Sequence, residues 1–421
     1  MFPLLTFGLR SVLLMLWVVL GLVCFIKKRQ ISISINKKHL CFLFISILPF
    51  IYLTATLIYT DNYEMGTKRL IQMMPLFVFP IIFYLNSETF NKKKIKNILY
   101  FFSVSVVLLI LYQLTYTLLH LDYFLADLTK EEIVRNNLID YKQIPENTIN
   151  IIKVRRFRNL MVDLTDTHPT YQGLWIALAL FVFVKETFNK KMESKFLQII
   201  FLLISFGLVS WLFIMATRMP IVTVLLAFIL TFLIFKKTKL KTKIGVFFLT
   251  VFLMSFGYFV SESIQVRVKE VFKNGIELPT NDGNVDKYNS TNVRNGIYFC
   301  SLSIIKDNLL FGVGVGDSQD KLNECYKVKI GAKIYTWSNF NTHNQYLYFL
   351  LASGLIGFIL FIIQNVIYFK LAIRKRYDVF FYTILVICLI SITENILSRS
   401  DGVMFFSLFC SLFIFNLRQK E

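Results

Sequence analysis

The chain has 421 residues, 56% of them hydrophobic, and a mean hydropathy of +0.59, which together exclude an ordinary soluble domain. Its formal net charge of +20 would suit a nucleic-acid partner in a soluble protein. The lysines and arginines, however, cluster in every second connection between apolar runs, which is the positive-inside pattern of a polytopic membrane protein, so we expect no nucleic-acid partner.

Apolar runs long enough to cross a bilayer recur along the chain, since a spanning helix needs about 20 apolar residues. They predict an all-α membrane protein with about 11 transmembrane helices, between about 10 and about 12. The first run has no small-residue cleavage site and is expected to remain as a helix. The runs lie near residues 5–26, 40–59, 70–86, 98–119, 169–184, 197–216, 219–235, 244–260, 343–369, 378–393 and 403–417.

Two polar segments, residues 122–168 and 261–342, are far longer than the other connections. The alternation of basic connections places both outside the membrane, with the N-terminus outside and the C-terminus inside. The chain is therefore divided into a transmembrane bundle (1–260), a loop subdomain with short helices (261–342) and C-terminal transmembrane helices (343–421). The first polar segment (122–168) belongs to the bundle and is predicted to be irregular.

The first candidate site residues lie at boundaries between polar and apolar sequence. His168 and Tyr171 close the first polar segment, although Pro169 equally suits a plain helix start. Arg218 stands between two apolar runs, with Pro220 placed for the first turn of the next helix. An arginine at that depth is costly unless it is paired or reaches the headgroups, so Arg218 either marks the turn or binds a phosphate.

The large polar segment (261–342) contains a predicted amphipathic helix from Asn292 to Lys306, and Arg294 lies in its first turn. Arg294 is either an ordinary surface arginine or part of a site. Three glycines follow the helix but no strand of a nucleotide-binding unit precedes them. They predict a tight turn that packs this segment against the membrane helices. These glycines are Gly312, Gly314 and Gly316.

The six cysteines do not form a metal-binding pattern. Four of them lie in apolar runs, and no pair has the two-residue spacing of a zinc site, so we expect no metal and no cofactor. Cys300 and Cys325 lie in the large polar segment, where an oxidising compartment would permit a disulfide. Their spacing alone does not establish one.

His343 marks the point where the large polar segment becomes an apolar helix, and Asn344, a candidate substrate-binding residue, follows it. An imidazole at a membrane boundary can transfer protons beside a lipid-borne substrate, or it can simply hydrogen-bond its neighbours. Glu394 and Arg399 lie in the last short outer turn. They either form an ion pair with each other or contact a substrate.

Arg218, Arg294 and His343 are all expected at the outer boundary of the membrane. Two guanidinium groups and one imidazole suit glycosyl transfer from a lipid pyrophosphate. The guanidinium groups would neutralise the charge that grows on the departing phosphate. The imidazole would accept a proton from the attacking hydroxyl.

The ordered motifs resemble the O-antigen ligase/polymerase superfamily of bacterial inner-membrane enzymes. The resemblance covers the C-terminal two-thirds of the chain, whereas the first 160 or so residues match only in hydropathy. Leu309 departs from the pattern, because many members carry proline there. The motifs are His168-Pro169-Thr170-Tyr171, Thr217-Arg218, Arg294, residues 309–317 (LLFGVGVGD), residues 342–347 (THNQYL), Gly354-Leu355-Ile356-Gly357 and the stretch from Glu394 to Gly402.

The resemblance implies a metal-independent, inverting, GT-C-like transferase at the periplasmic face of the inner membrane. Its donor would be an undecaprenyl-pyrophosphate-linked glycan, bound by Arg218 and Arg294, and His343 would activate or orient the acceptor hydroxyl. We favour ligation to lipid A-core. A repeat-unit polymerase and a protein O-oligosaccharyltransferase are alternatives within the superfamily, and a lipid-linked oligosaccharide flippase or other transporter is the alternative from another class. No motif indicates an oligomeric state.

Overall fold

The computed structural model describes residues 2–29, 37–135, 146–188, 194–215, 218–235, 265, 277–279 and 290–417. Within these ranges every regular element is helical and no strand occurs. The predicted all-α fold class is therefore confirmed for this part of the chain. The apolar run near residues 244–260 lies outside the described residues, and the GT-C-like classification stays a prediction.

The α-helices of the described ranges are numbered in chain order. They are α1 (Phe7–Arg29), α2 (Lys37–Ala55), α3 (Tyr63–Met73), α4 (Pro75–Leu85), α5 (Lys92–Leu119), α6 (Leu121–Leu125), α7 (Lys130–Arg135), α8 (Glu146–Thr165), α9 (Pro169–Thr187), α10 (Lys195–Ile214), α11 (Arg218–Phe235), α12 (Ser290–Asp307), α13 (Ser318–Cys325), α14 (Gln345–Arg374), α15 (Asp378–Ile390) and α16 (Ser400–Ile414).

Several of these helices are candidate membrane spans, which makes the protein an integral membrane protein. In the described ranges, six stretches are long and apolar enough to cross a bilayer: Gly8–Lys27, Lys37–Tyr59, Tyr63–Leu85, Lys92–Leu119, Lys195–Ile214 and Gln345–Arg374. Three further apolar helices are shorter: Met219–Phe235, Asp378–Ile390 and Ser400–Ile414. Each of these longer and shorter helices overlaps a predicted apolar run. The full count of about 11 spans stays a prediction.

The chain forms two compact units. The first comprises Met1–Leu16 and Lys92–Val266, and the second comprises Trp17–Asn91 and Arg267–Glu421. The three-part division predicted from loop lengths stays a prediction.

Helix α9 forms the centre of the first unit. All of its residues from 169 to 183 are buried, and α5, α10 and α11 pack against it. A helix that is apolar on every side is expected in such a central position. Near its start, the Arg10 guanidinium donates to the Thr165 carbonyl oxygen (3.3 Å) and to Thr167 Oγ1 (3.1 Å). This buried arginine ties the beginning of the chain to the start of α9.

The first polar segment is helical in its described parts, so the prediction of an irregular segment was wrong. It contains α6, α7 and α8, which the buried Arg156 of α8 holds together. Its guanidinium donates to the Tyr123 and Ala126 carbonyl oxygens and to Glu132 Oε1 at 2.8 Å. The hydrogen bonds from Arg156 lower the pKa of the Glu132 carboxyl to about 2. Polar pairing thus supports helices that the weak hydrophobic pattern did not indicate.

The second unit contains a bundle of α2, α4, α14, α15 and α16. Aromatic side chains fill it, and several are fully buried: Phe380, Tyr382, Phe405, Phe409 and Phe413. One group of polar side chains inside the bundle is paired: Tyr368 donates its hydroxyl to Ser46 Oγ (2.8 Å), and Gln364 donates to the Ser46 carbonyl oxygen (2.8 Å). Such pairing is expected where water is scarce.

In the large polar segment, α12 confirms the predicted amphipathic helix. A disulfide between Cys300 and Cys325, whose Cα atoms are 5.7 Å apart, joins α12 to the end of α13. The Tyr335 hydroxyl donates to the Val293 carbonyl oxygen at 2.8 Å, and its ring stacks on Tyr326 at 4.4 Å. The disulfide and this stack hold the backbone that carries Arg294.

Helix α14 is interrupted at Gly354, whose φ of 62° and ψ of −166° are accessible essentially only to glycine. The predicted glycine turn fills the interruption. The Val313 amide donates to the Leu351 carbonyl oxygen (2.9 Å), and the Leu355 amide donates to the Leu309 carbonyl oxygen (2.8 Å). The turn therefore packs against this helix, as predicted, and satisfies backbone groups that the break would otherwise leave unpaired.

The same turn is also fixed to the connection between α2 and α3. The Asp317 carboxylate accepts hydrogen bonds from the amides of Asp61 (2.9 Å) and Asn62 (2.7 Å), directly before α3. The Val315 amide donates to Thr56 Oγ1 at 3.1 Å. Helix α3 is thus held against the large polar segment within the second unit.

Candidate functional site

His343 has an unusual backbone conformation for a residue with a side chain. Its φ is 43°, in the left-handed region, and its amide donates to Asn341 Oδ1 at 2.9 Å. This conformation costs about 1–2 kcal/mol and persists only where the surroundings impose it. The imidazole is 29% exposed and so remains accessible.

The buried amide of Asn395 imposes this conformation. Its Oδ1 accepts hydrogen bonds from Thr342 Oγ1 (2.9 Å) and from the Asn344 amide (2.7 Å). Both neighbours of His343 are therefore bound to one oxygen atom, and Asn395 is only 3% exposed. The position of the imidazole depends on a residue 52 positions away in the sequence.

Asn344 caps the N-terminus of α14. Its Oδ1 accepts hydrogen bonds from the amides of Tyr346 (2.9 Å) and Leu347 (3.0 Å), which lack partners within the helix. This cap starts the helix immediately after His343. It also occupies the side-chain oxygen of Asn344, whose predicted contact with a substrate stays a prediction.

Glu394 lies between two of the predicted site residues. Its Oε1 is 3.4 Å from Arg294 Nη2, and its Oε2 is 3.7 Å from His343 Nδ1. The three side chains come from α12, from the start of α14 and from the turn after α15. The His343 Nδ1 atom is enclosed and makes no hydrogen bond within the described residues, so the carboxylate is the charged group that faces it. The structure thus brings Arg294, His343 and Glu394 together.

Tyr298 adds a phenol to this group. It lies one helical turn after Arg294 on α12 and is half-buried. Burial raises the pKa of the phenol; the Arg294 guanidinium opposes the shift and the Glu394 carboxylate adds to it. The hydroxyl therefore stays protonated at neutral pH and can donate a hydrogen bond.

Arg399 does not form the ion pair that was one interpretation of this turn. Glu394 pairs instead with Arg294, 100 positions earlier, and no ion pair joins Arg399 to another described residue. Arg399 is exposed directly before α16. Its predicted contact with a substrate stays a prediction.

Arg218, His168 and Tyr171 belong to the first unit. Helix α11 begins at Arg218, and Pro220 lies in its first turn, as predicted. The side chain of Arg218 lies outside what the structure describes. The predicted convergence of Arg218 with Arg294 and His343 stays a prediction.

His168 caps α9. Its Nδ1 accepts a hydrogen bond from the Thr170 amide at 3.4 Å, and Pro169 occupies the first helical position. Tyr171, one turn later, is 4% exposed. These positions agree with the helix-start interpretation, while a role in substrate binding stays a prediction for both residues.

Sequence reasoning did not select Arg69 on α3 as a candidate. It follows Lys68 in a short polar stretch before an apolar run, which is the same signal that identified Arg218. Asn395 and Tyr298 were also missed, and nothing in the local sequence distinguishes them. Asn395 matters through its hydrogen bonds to residues distant in the chain, and Tyr298 through its position one turn after Arg294.

Comparison with known proteins identifies the central part of the chain. Residues 200–362 match the family model described as O-antigen ligase, and no curated protein matches the chain. The matched segment contains Arg218, Arg294, His343 and the broken part of α14, whereas Glu394 lies outside it. The family indicates glycan transfer of the ligase or polymerase type. The resemblance to the O-antigen ligase superfamily is therefore confirmed by a match that covers residues 200–362.

Proposed function

We propose that the protein transfers a glycan from an undecaprenyl-pyrophosphate-linked donor to an acceptor hydroxyl, and that the reaction is O-antigen ligation to lipid A-core. The observation that carries this proposal is the Glu394 carboxylate between Arg294 and His343. Together these side chains offer a proton acceptor, a group that stabilises it and a cation for a phosphate. The similarity of residues 200–362 to the O-antigen ligase family supports the same chemistry.

In the proposed reaction, the acceptor oxygen forms a bond to the anomeric carbon while His343 Nε2 takes the hydroxyl proton. The bond between that carbon and the pyrophosphate oxygen breaks on the opposite face, and the electron pair leaves with undecaprenyl pyrophosphate. The anomeric configuration is thereby inverted. Glu394 faces Nδ1, so it orients the ring and stabilises the imidazolium that forms.

Arg294 and Arg218 would bind the pyrophosphate and neutralise its growing charge. A guanidinium group has five N–H donors, so the contact with Glu394 leaves most of those of Arg294 for phosphate oxygens. No metal ion is required for this role, because the two arginines supply the positive charge.

The active site would face the periplasm from the bacterial inner membrane. The disulfide between Cys300 and Cys325 supports this placement, since disulfides persist in oxidising compartments. The basic connections support the same orientation of the chain.

A lipid-linked oligosaccharide transporter is the candidate from another class. Transporters use broken helices whose free backbone groups bind ions or substrate near the bilayer midplane. The break of α14 at Gly354 is instead filled by the backbone of residues 309–314. Because its groups are used in packing, the break favours the enzyme.

The decisive variant is His343→Ala, which removes the proposed proton acceptor. Transfer to lipid A-core should fall by about 10²- to 10⁴-fold, while membrane insertion and donor binding are retained. His120→Ala is the matched control, because His120 is an exposed histidine whose ring stacks on Tyr116. Surface polysaccharide on gels from a strain carrying only the His343 variant provides the measurement. Wild-type amounts would contradict the proton-acceptor role.

Arg218→Lys tests the phosphate role, because an ammonium group cannot reproduce a two-pronged guanidinium contact. We expect impaired transfer with normal protein levels. Full activity would mean that Arg218 only marks the turn at the membrane boundary and does not bind the phosphate.

Deletion of the protein separates the acceptors. Loss of every ladder band from lipid A-core would identify a ligase, and retention of one repeat unit per core would identify a polymerase. Unchanged lipopolysaccharide with loss of a glycosylated protein would identify the protein-modifying alternative.

A further inference from the structure

Helix α3 carries an arginine that the proposed reaction does not use. Arg69 is half-buried, and the described part of the chain provides it with no ion-pair partner. Gln72, one turn later, donates to the Ser398 carbonyl oxygen at 2.9 Å. This contact fixes α3 against the turn before α16. Arg69 therefore lies in the second unit, on the same side of the bundle as the start of α14.

Three buried side chains at this junction have polar atoms without a hydrogen-bond partner among the described residues: Gln345 Nε2, Tyr348 Oη and Ser398 Oγ. The side chains are 0%, 4% and 8% exposed, respectively. Gln345 Oε1 accepts a hydrogen bond from the Leu397 amide at 2.8 Å, which brings the first turn of α14 onto the turn that holds Ser398.

Tyr348 completes the group. It lies one turn after Gln345 on α14, and its buried hydroxyl is one of the three polar groups without a partner among the described residues. Arg69, Gln345, Tyr348 and Ser398 thus belong to three elements that meet: α3, the start of α14 and the turn before α16. All four can donate hydrogen bonds there, and the arginine and the amide nitrogen can only donate.

Unpaired buried donors are costly, and native proteins retain few of them. A guanidinium group, two hydroxyls and an amide nitrogen together suit an oxyanion. Each of these groups can donate a hydrogen bond, and every oxygen atom of an oxyanion can accept one. Arg294 is different, since it already shares the Glu394 carboxylate. Arg69 has no carboxylate partner in the described residues and keeps its full charge for a ligand.

We propose that Arg69, Gln345, Tyr348 and Ser398 form a second oxyanion subsite beside His343, which binds a phosphate group. The inference rests on the proposed function, in which a lipid diphosphate approaches the start of α14. A phosphate could come from the lipid-linked donor, from a phospholipid headgroup or from free pyrophosphate, and the experiment separates these sources.

The test measures binding to the full-length protein in detergent, with three probes used separately: undecaprenyl pyrophosphate, inorganic pyrophosphate and phosphatidylglycerol. Arg69→Gln removes the charge while keeping a polar side chain. Lys68→Gln is the matched control, because Lys68 is the exposed neighbour on the same helix. The ligand-induced shift in melting temperature, titrated with each probe, gives its Kd.

We expect Arg69→Gln to weaken the binding of undecaprenyl pyrophosphate by on the order of tenfold, the usual effect of losing a charged hydrogen bond. Lys68→Gln should leave this binding unchanged. If the variant also weakens the binding of inorganic pyrophosphate, the diphosphate group itself is the ligand of the subsite. A loss confined to phosphatidylglycerol would assign a headgroup as the source. If no probe binds the wild type, or if Arg69→Gln weakens the binding of none of them, the subsite is refuted.

Tyr348→Phe separates binding from folding. It removes a buried hydroxyl that has no partner among the described residues, so the melting temperature without ligand should not fall, whereas the Kd should rise as with Arg69→Gln. A lower melting temperature with unchanged binding would mean that the hydroxyl is structural, which would overturn the proposal.

The subsite and the proposed function can fail separately, because the binding measurement needs no glycan transfer. Full transfer by His343→Ala together with weakened binding by Arg69→Gln would refute the function and retain the subsite. Lost transfer by His343→Ala together with unchanged binding by Arg69→Gln would do the reverse.

Discussion

The backbone of Gly312 lies directly against the backbone of Gly354. A β-carbon on Gly312 would come within 2.6 Å of the Gly354 amide nitrogen, and both residues have positive φ, 73° and 62°. This contact inserts the turn of the large polar segment into the break of α14. It thereby connects the segment that carries Arg294 to the helix that begins after His343.

Gly354→Ala should therefore destabilise the protein by about 2 kcal/mol or more, because alanine does not adopt this backbone and its β-carbon would meet the Leu310 carbonyl oxygen. The measurement is the melting temperature in detergent. Gly207→Ala on α10 is the control, since a β-carbon there has nothing within 4 Å and should be neutral or slightly stabilising. Equal melting temperatures for the two variants would contradict the strained break.

Asn395 should act as a positioning residue for His343. Asn395→Leu removes the oxygen that binds both neighbours of the histidine, and kcat should fall by about 100-fold with a smaller change in KM, as expected for a misplaced catalytic group. Asn395→Asp keeps an acceptor oxygen and should recover most of the rate. If both variants were equally impaired, the hydrogen bonds to this oxygen would not explain the effect.

The disulfide between Cys300 and Cys325 should stabilise the large polar segment. Replacing both cysteines by serine should cost about 3 kcal/mol, the usual contribution for a loop of this size, and lower the melting temperature. A maleimide reagent should label neither thiol in the unreduced, denatured wild type and both after reduction. The free Cys24 and Cys41, which are exposed, provide the internal labelling control. Labelling of Cys300 without reduction would contradict the pairing.

The ion pair between Glu132 and Arg156 should make stability depend on pH. The folded carboxyl has a pKa of about 2, below its usual 4.5, so the pair stabilises the fold above about pH 4.5 and loses this contribution as the pH falls toward 2. Glu132→Gln should lower stability by on the order of 2 kcal/mol at pH 7, and the difference from wild type should shrink below pH 4.5. Glu131→Gln, at the exposed neighbour, should show no such difference. A difference that persists unchanged at pH 3 would refute the assignment.

Local sequence was enough to predict much of the fold. The apolar runs marked the helices, because a bilayer requires about 20 apolar residues whatever surrounds them. The amphipathic period predicted α12 almost to its ends, and the polar-to-apolar boundary predicted the start of α14. Pro220 lies in the first turn of α11 for the same local reason, its fixed φ. The helices of the first polar segment escaped prediction because their apolar residues form no clear periodic pattern, and because the ion pair between Glu132 and Arg156 joins residues 24 positions apart.

The sequence by itself determined the membrane class, the resemblance to the O-antigen ligase family and the candidate side chains Arg294 and His343, because composition and motifs are properties of neighbouring residues. Only the tertiary structure decided that Glu394 joins Arg294 across 100 positions, that Asn395 sets the backbone of His343, and that α3 lies against the turn that holds Ser398. These pairings arise where packed helices and turns bring distant residues together. They depend on the path of the whole chain, which no local pattern encodes.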